Sequence, residues 1–310
     1  MIEIRNLSKK IAENVILQDL NFSVNRGEIL GLLGPNGAGK TTTMKIITSF
    51  WSPTSGTVTI DGLDSVVDSI KVRQKIGYLP ENVPLYEDMK VREYLNFVAE
   101  MRGLEKSKIK SRIAEVAESC GVTKVMEKTI DELSKGYRQR VGLAQAIMGN
   151  PDVLILDEPT TGLDPNQIAE IRELIKKIGQ EKTVIFSTHI LAEANAVCDR
   201  IIIINNGKIV GEGSPEELIK KAKSREVIYA KIKGAKDKVL AVAGKVAGVS
   251  KVSAVKNEDE EGVISYDIES VDGTDIRSAL TAALFGAGLE IFEIRKNQAS
   301  LEDVFRELTK

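Results

Sequence analysis

Apolar residues in the first sixty positions come in short runs separated by turn formers. Residues 2–7, 15–24, 28–33 and 57–61 read as strands. The run Leu30-Gly31-Leu32-Leu33 has no polar alternation, so it predicts a strand buried on both faces, feeding a glycine-rich loop and a helix over residues 40–49. From residue 88 to 148 the pattern turns helical, with Ile109, Ile113, Val116 and Ala117 on one face. Residues 153–156 and 183–187 are continuous apolar runs, expected as parallel core strands. Between them Ile168, Ile171, Ile175 and Ile178 mark the inner stripe of an amphipathic helix. Asn206-Gly207, flanked by residues 201–204 and 208–210, is a hairpin turn.

After residue 222 the texture changes. Residues 227–232, 249–255, 263–268 and 289–295 read as strands, with helices over 237–247 and 274–285. That β-α-β-β-α-β order predicts a small α+β ferredoxin-like domain, followed by a last helix from about Ser300. The charged run 257–261 reads as a solvated loop. A chain of 310 residues accommodates two domains of roughly 100–150 residues or somewhat more, and the expected division is 1–222 and 226–310.

Composition narrows the class. A formal net charge of -2 lacks the basic field that nucleic-acid binding needs, so no nucleic-acid partner is expected. Cys120 and Cys198 stand far apart in no metal-ligand spacing and read as buried thiols of a reducing compartment. Residues 1–5 have neither the basic start nor the apolar stretch of a signal peptide. The dense apolar run at 200–205 is far short of the ~20 residues that span a bilayer. The chain itself is expected to be cytoplasmic, with any membrane role exercised through a partner.

Three segments carry chemistry. Gly34-Pro35-Asn36-Gly37-Ala38-Gly39-Lys40-Thr41-Thr42 matches Gly-x-x-x-x-Gly-Lys-Thr, between a buried strand and a helix start. Glycines there let successive backbone N–H groups curl round a phosphate, and the helix N-terminus adds positive potential. Lys40 reaches the β- and γ-phosphates, and the Thr41 hydroxyl is placed for Mg²⁺. Residues 153–158 form an apolar strand ending in Asp157-Glu158. Successive strand residues point oppositely, so Asp157 is assigned to Mg²⁺, directly or through water, and Glu158 to the attacking water as general base. His189, the single histidine, follows the strand 184–188 and falls at the carboxyl edge of the sheet, within reach of a γ-phosphate and its attacking water.

Taken in order, the phosphate loop, Leu133-Ser134-Lys135-Gly136-Tyr137, Leu156-Asp157-Glu158-Pro159, Gly162-Leu163-Asp164 and His189 resemble an ABC ATPase cassette over residues 1–222. The resemblance implies an α/β P-loop NTPase fold with a RecA-like core, an antiparallel β-subdomain and a helical subdomain. It also implies ATP and Mg²⁺, and two cassettes paired head to tail. Each ATP then lies between the phosphate loop of one copy and Ser134 and Gly136 of the other. Ser134 is expected to cap the helix beginning at Lys135, aiming its N-terminus at phosphate across the interface.

The sequence departs from the family pattern at three places. Lys135 and Tyr137 replace the commoner Gly and Gln of the Leu-Ser-x-Gly segment; Lys135 either adds charge near phosphate or faces solvent. Glu81, after Gly77-Tyr78-Leu79-Pro80, stands where the family usually has a Gln that touches Mg²⁺ and the transmembrane partner, and it keeps an oxygen ligand while adding charge. Ile11 occupies the place of the aromatic that stacks on adenine, with no aromatic nearer than Phe22. The tail from Ala299 to Phe305, with Leu308-Thr309, resembles the end of ATP-binding subunits of ABC-2 type exporters of the drug, polysaccharide and gliding-motility-associated kinds. Ser300 and Asp303 in it read as the N-cap and the acidic N3 residue of a helix. The expectation is therefore an exporter ATPase, dimeric and peripheral on the cytoplasmic face, that drives a separate transmembrane permease. The alternative is a soluble ABC ATPase acting as a regulatory switch or on ribosomes or DNA. For the second domain, ligand sensing and dimer reinforcement stand as equal alternatives.

Overall fold

The computed structural model describes residues 1–222, 227–257, 262–271, 275–297 and 301–309. They form two compact units, Met1–Pro215 together with the chain end from Leu308, and Glu216–Glu307. The division falls at the start of the helix Pro215–Ala222, ahead of the change in texture after residue 222.

In the first unit the chain begins with β1 (Ile2–Ile11), β2 (Asn14–Val24), β3 (Ile29–Leu33), α1 (Lys40–Ile47), β4 (Ser55–Ile60) and β5 (Leu63–Asp64). It continues through α2 (Ser69–Lys75), β6 (Ile76–Leu79), α3 (Val91–Met101), α4 (Lys106–Ser119) and α5 (Lys135–Ile147). Then come β7 (Val153–Asp157), α6 (Pro165–Gly179), β8 (Thr183–Thr188), α7 (Leu191–Val197), β9 (Arg200–Asn205) and β10 (Lys208–Gly213).

These strands make an antiparallel sheet in the order β2-β1-β4-β5 and a six-stranded sheet in the order β10-β9-β3-β8-β7-β6. The larger sheet is parallel from β9 to β6, with β10 antiparallel at its edge. Every residue of β3, β7 and β8 is buried, which is why these runs carry no polar alternation. Both sheets share one core: Met44 and Ile46 of α1 pack with Ile2, Ile4 and Leu17 on one side and Leu30, Leu32 and Ile155 on the other. Each such side chain contributes about 1.5–3 kcal/mol through burial.

Two local differences from the sequence expectation affect the site. The segment 77–81, expected as a loop, begins as strand β6, pairing Leu79 with Leu156. Four residues are too few to show a period, but they align Glu81 just past the edge where β7 ends. On α6 the buried stripe is Ile171, Leu174 and Ile175, with Ile168 and Ile178 half-buried. The hairpin Asn206-Gly207 forms as expected, with φ of 48° and 72°. Its tip clamps the phosphate loop: Gly207 N–H donates to Ala38 O at 3.0 Å, and Gln18 N–H donates to Gly207 O at 2.8 Å.

The second unit contains most of α8 (Pro215–Ala222), then β11 (Val227–Lys233), α9 (Lys236–Ala243), β12 (Val249–Asn257), β13 (Val263–Ser270), α10 (Arg277–Gly286) and β14 (Glu290–Asn297); α11 (Leu301–Leu308) follows. Its sheet is antiparallel in the order β12-β13-β11-β14, the ferredoxin-like arrangement. Ile228, Ala230, Ile232, Tyr266 and Ile268 on the sheet pack with Val239, Leu280 and Leu284 of its two helices. The expected cap at Ser300, the Asp303 side chain and most of the charged loop 257–261 lie outside the described residues.

Candidate functional site

β3, β7 and β8 end at the same edge of the parallel sheet, because Leu33 pairs with Thr188 and Asp157 with Ser187. The loop after β3 turns into α1 through Gly39, which has φ 110°. A side chain at Gly39 would be strained by that φ and would meet the Leu17 side chain at 2.5 Å, so glycine is required there. Lys40 lies almost fully inside, donating to Gly34 O at 2.7 Å and Pro35 O at 3.3 Å, so it braces the loop it belongs to. Its ammonium also stands 3.2 Å from Glu158 Oε1.

Behind the loop the two acids separate, but not by strand alternation: β7 ends at Asp157, and Glu158 turns out of the strand. Asp157 Oδ1 accepts from Ser187 Oγ at 2.7 Å and from Thr41 Oγ1 at 3.2 Å, while its Oδ2 is buried without a hydrogen-bond partner. Burial pushes the Asp157 carboxyl above the usual carboxylate range; the two hydroxyl donors oppose this, and the charges of Glu158 and Glu81 add to it. Glu158 takes a left-handed φ of 49°, uncommon outside glycine, and its N–H is fixed to Ser187 Oγ at 2.9 Å. Its Oε2 lies 2.9 Å from His189 Nδ1. Loop lysine, acidic pair, strand-end serine and histidine thus form one connected set.

Ile16, Asn36, Gly37, Gly39, Lys40, Thr41, Thr42, Glu81, Glu158, Thr161 and His189 line a cavity of about 430 Å³. Ser134 and Gly136 are absent from that wall; they line a separate cavity with Gly121, Tyr137, Arg140 and Gln167. Ser134 is the N-cap of α5, its Oγ accepting from Tyr137 N–H at 3.4 Å. Gly136 packs so closely that a Cβ would stand 2.7 Å from Gln167 Oε1. Lys135 is exposed and lays its ammonium against Gly162.

A family model described as ABC transporter matches residues 17–161. The ABC transporter ATP-binding protein NatA of Bacillus subtilis is 37% identical over 223 residues, which cover 71% of this chain and 90% of NatA. The chain belongs to the ABC transporter ATP-binding proteins. Its likeness to the linearmycin resistance ATP-binding protein LnrL of Bacillus subtilis, 31% identical, runs over 100% of this chain and 98% of that protein. Among solved structures, a dimeric post-hydrolysis state of the cassette MJ0796 bound to ADP and Pi superposes with a TM-score of 0.63 at 28% identity, covering 69% of this chain and 98% of that one. As an ABC cassette the chain is an ATP-binding protein and an ATPase.

Within this ABC protein the placement of Ile11 departs from the sequence expectation. Ile11 is 43% exposed at the far end of β1 and is not in the cavity wall; Ile16 of β2 lines it instead. The reason is the tight turn between the strands, where Ile11 pairs with Asn14 and carries the chain away before Ile16 returns. Tyr78 belongs to no motif that marks it for chemistry, yet its buried hydroxyl lacks a hydrogen-bond partner, and its phenol is held protonated by burial and by the charges of Asp157 and Glu81. The residues present suit a hard divalent cation: the Thr41 hydroxyl and the Asp157 carboxylate are bonded to each other, and one carboxylate oxygen is left over. Cys120 and Cys198 are free and buried. Burial pushes the Cys120 thiol up to about 12, as expected of structural thiols. Among the described residues, no helix is long and apolar enough to cross a membrane.

Proposed function

We propose that this chain is the ATP-hydrolysing motor of an ABC-2 type exporter, working as a head-to-tail pair of cassettes on the cytoplasmic face of a membrane and driving a separate transmembrane subunit. The carrying observation is that Ser134 and Gly136 open onto a cavity of their own, apart from the one lined by Lys40, Glu158 and His189. A second copy brings those two walls together, and the dimeric assembly of the MJ0796 cassette supports this. Relatives named for linearmycin resistance and for Nod factor export support the export direction.

In this reading residues 1–222 form the cassette and 226–310 an accessory domain. Gly34–Thr42 wraps the phosphates with backbone N–H groups, and Lys40 neutralises the β- and γ-phosphates. Phosphate bound at Lys40 competes with Glu158 for the ammonium and so frees Glu158 to take a proton from the attacking water. With Nδ1 of His189 held by Glu158, Nε2 is the nitrogen left to hydrogen-bond the γ-phosphate. Thr41 and Asp157, with Glu81 at the rim, hold Mg²⁺, which when bound neutralises charge on the phosphate oxygens. Ser134 and Gly136 of the second copy present the N-terminus of α5 to the γ-phosphate. Ile16 contacts the nucleoside, a role that Ile11 at its exposed position can take only if that strand end shifts.

The permease is expected to dock on the segment after Glu81. There Tyr86 is exposed and stacks edge-on against Tyr94 at 5.9 Å and beside Phe97 at 5.6 Å. Exposed aromatics such as Tyr86 and Phe97, backed by the buried Tyr94, suit a partner's apolar helix. The test is co-purification from membranes with the tagged full-length chain. A hydrophobic subunit retained by the native chain and lost on Tyr86→Asp supports the reading. A chain that never associates with a membrane subunit overturns it.

A further inference from the structure

The buried acid Glu193 has no part in the mechanism above, yet it touches both segments that carry it. It is 2% exposed, in the first turn of α7, where an acid ordinarily caps its own helix. Here it does something else. Its Oε2 accepts from Thr160 Oγ1 and from Thr188 Oγ1, each at 2.8 Å. Thr160 is 2% exposed and Thr188 is fully buried. The backbone N–H of Ile190, which a capping glutamate would take, donates instead to Thr188 Oγ1 at 3.0 Å. Thr160 lies two residues after Glu158 and Thr188 immediately before His189.

We infer that Glu193 is a positioning residue for hydrolysis: one of its carboxylate oxygens ties the loop that carries Glu158 to the strand end that carries His189, fixing their 2.9 Å approach. A buried carboxylate with two neutral hydroxyl donors and one unpartnered oxygen is a costly choice for stability alone. Hydrophobic side chains at all three positions, 160, 188 and 193, would fill that space at less cost. What the carboxylate adds is a fixed distance between two backbone segments. Thr160 opens the stretch through Thr161 and Gly162 to Asp164, the N-cap of α6, so the bridge also restrains that loop. The inference rests on the assignment of Glu158 and His189 to hydrolysis.

The experiment is steady-state ATPase kinetics and thermal unfolding on the full chain carrying Glu193→Ala, Glu193→Gln, Thr160→Val and the Ala/Val double substitution, beside Glu158→Gln as reference. Loss of the bridge should lower kcat about 10- to 100-fold, as small misplacements of reacting groups do, with KM for ATP within about threefold. Glu193→Gln keeps an oxygen for both hydroxyls and should recover most of kcat. The effects of Glu193→Ala and Thr160→Val should overlap rather than add, since each breaks the same link. A folded Glu193→Ala chain with native kcat, a Gln variant as slow as Ala, or strictly additive losses each overturn the inference. If Glu158→Gln hydrolyses at the native rate, it is the assignment of the base that fails.

Discussion

The two faces proposed to meet across ATP are built differently. The Lys40 face is bonded to itself: lysine to acid, acid to histidine, Asp157 to Thr41 and Ser187, with Asp157, Glu158 and Ser187 all buried. On the other face Ser134 is exposed and Gly136 buried, and the cap is a single long hydrogen bond of 3.4 Å. The first face stores charge in a low-dielectric place, where each partner lost leaves another unpaired. The second offers an open helix N-terminus, whose weak positive potential depends on what is brought to it. In the proposed function chemistry belongs to the first face and assembly to the second, so substitutions on the two should fail in different ways.

The sharpest way to break that division is Glu158→Gln. The side chain keeps its shape and its neighbours but loses its basicity, so hydrolysis should fall about 10²- to 10⁴-fold. ATP binding and ATP-induced pairing should persist, because Lys40, the loop and Ser134 are untouched. ATPase rates and size-exclusion chromatography with ATP read the two properties separately. A variant that hydrolyses normally, or that cannot bind ATP, merges the two faces again.

Ser134→Ala probes the other side. Loss of an N-cap costs about 0.5–2 kcal/mol of local helix stability. Here that should appear as roughly tenfold weaker ATP-dependent pairing. ATP binding to the single chain, measured by fluorescent nucleotide titration, should stay native. Weakened binding to the monomer would place Ser134 on the same face as Lys40.

The same contrast explains what was legible in the sequence. The phosphate loop, the Asp157-Glu158 strand end, the Ser134 cap and His189 could be read because local chain geometry dictates each: a turn needing glycine, a strand end, a helix start. The ferredoxin-like order of the second unit was legible for the same reason, through alternating strand and helix patterns. Glu193 was not, because an acid in the first turn of a helix looks the same whether it caps that turn or bridges two other segments. Ile16 was missed because its place in the wall depends on how β1 and β2 turn around residues 11–14, which no periodicity reports. β6 was too short to announce itself, and it acquires its strand pairing only from β7.

A smaller effect separates the two ends of the nucleotide. Ile16→Ala removes apolar surface from the cavity wall and should weaken ATP binding about fivefold, at about 0.8 kcal/mol per buried methylene only partly realised. Ile11→Ala, at an exposed position, should leave affinity unchanged. Equilibrium titration with ATP and with GTP checks both, and a loss at Ile11 with none at Ile16 would reverse the assignment of the adenine end.

The last prediction concerns the cost of the chemical face to the fold. Asp157 is fully buried, and desolvation raises its carboxyl above the free value of 3.8. The folded chain therefore holds that proton to higher pH than the unfolded chain does. Stability then falls as pH rises from near 3.8 through the raised folded value. Asp157→Asn removes the charge while leaving an oxygen for Ser187 and Thr41. In metal-free buffer at pH 7 its Tm should exceed that of the native chain by about 1–3 °C. The advantage should shrink on acidification, as the native carboxyl takes up its proton. Mg²⁺-dependent hydrolysis should be lost in the same variant. A Tm gain that does not depend on pH would mean the charge on Asp157 is not what strains this face, and that its hydroxyl donors fully offset the burial.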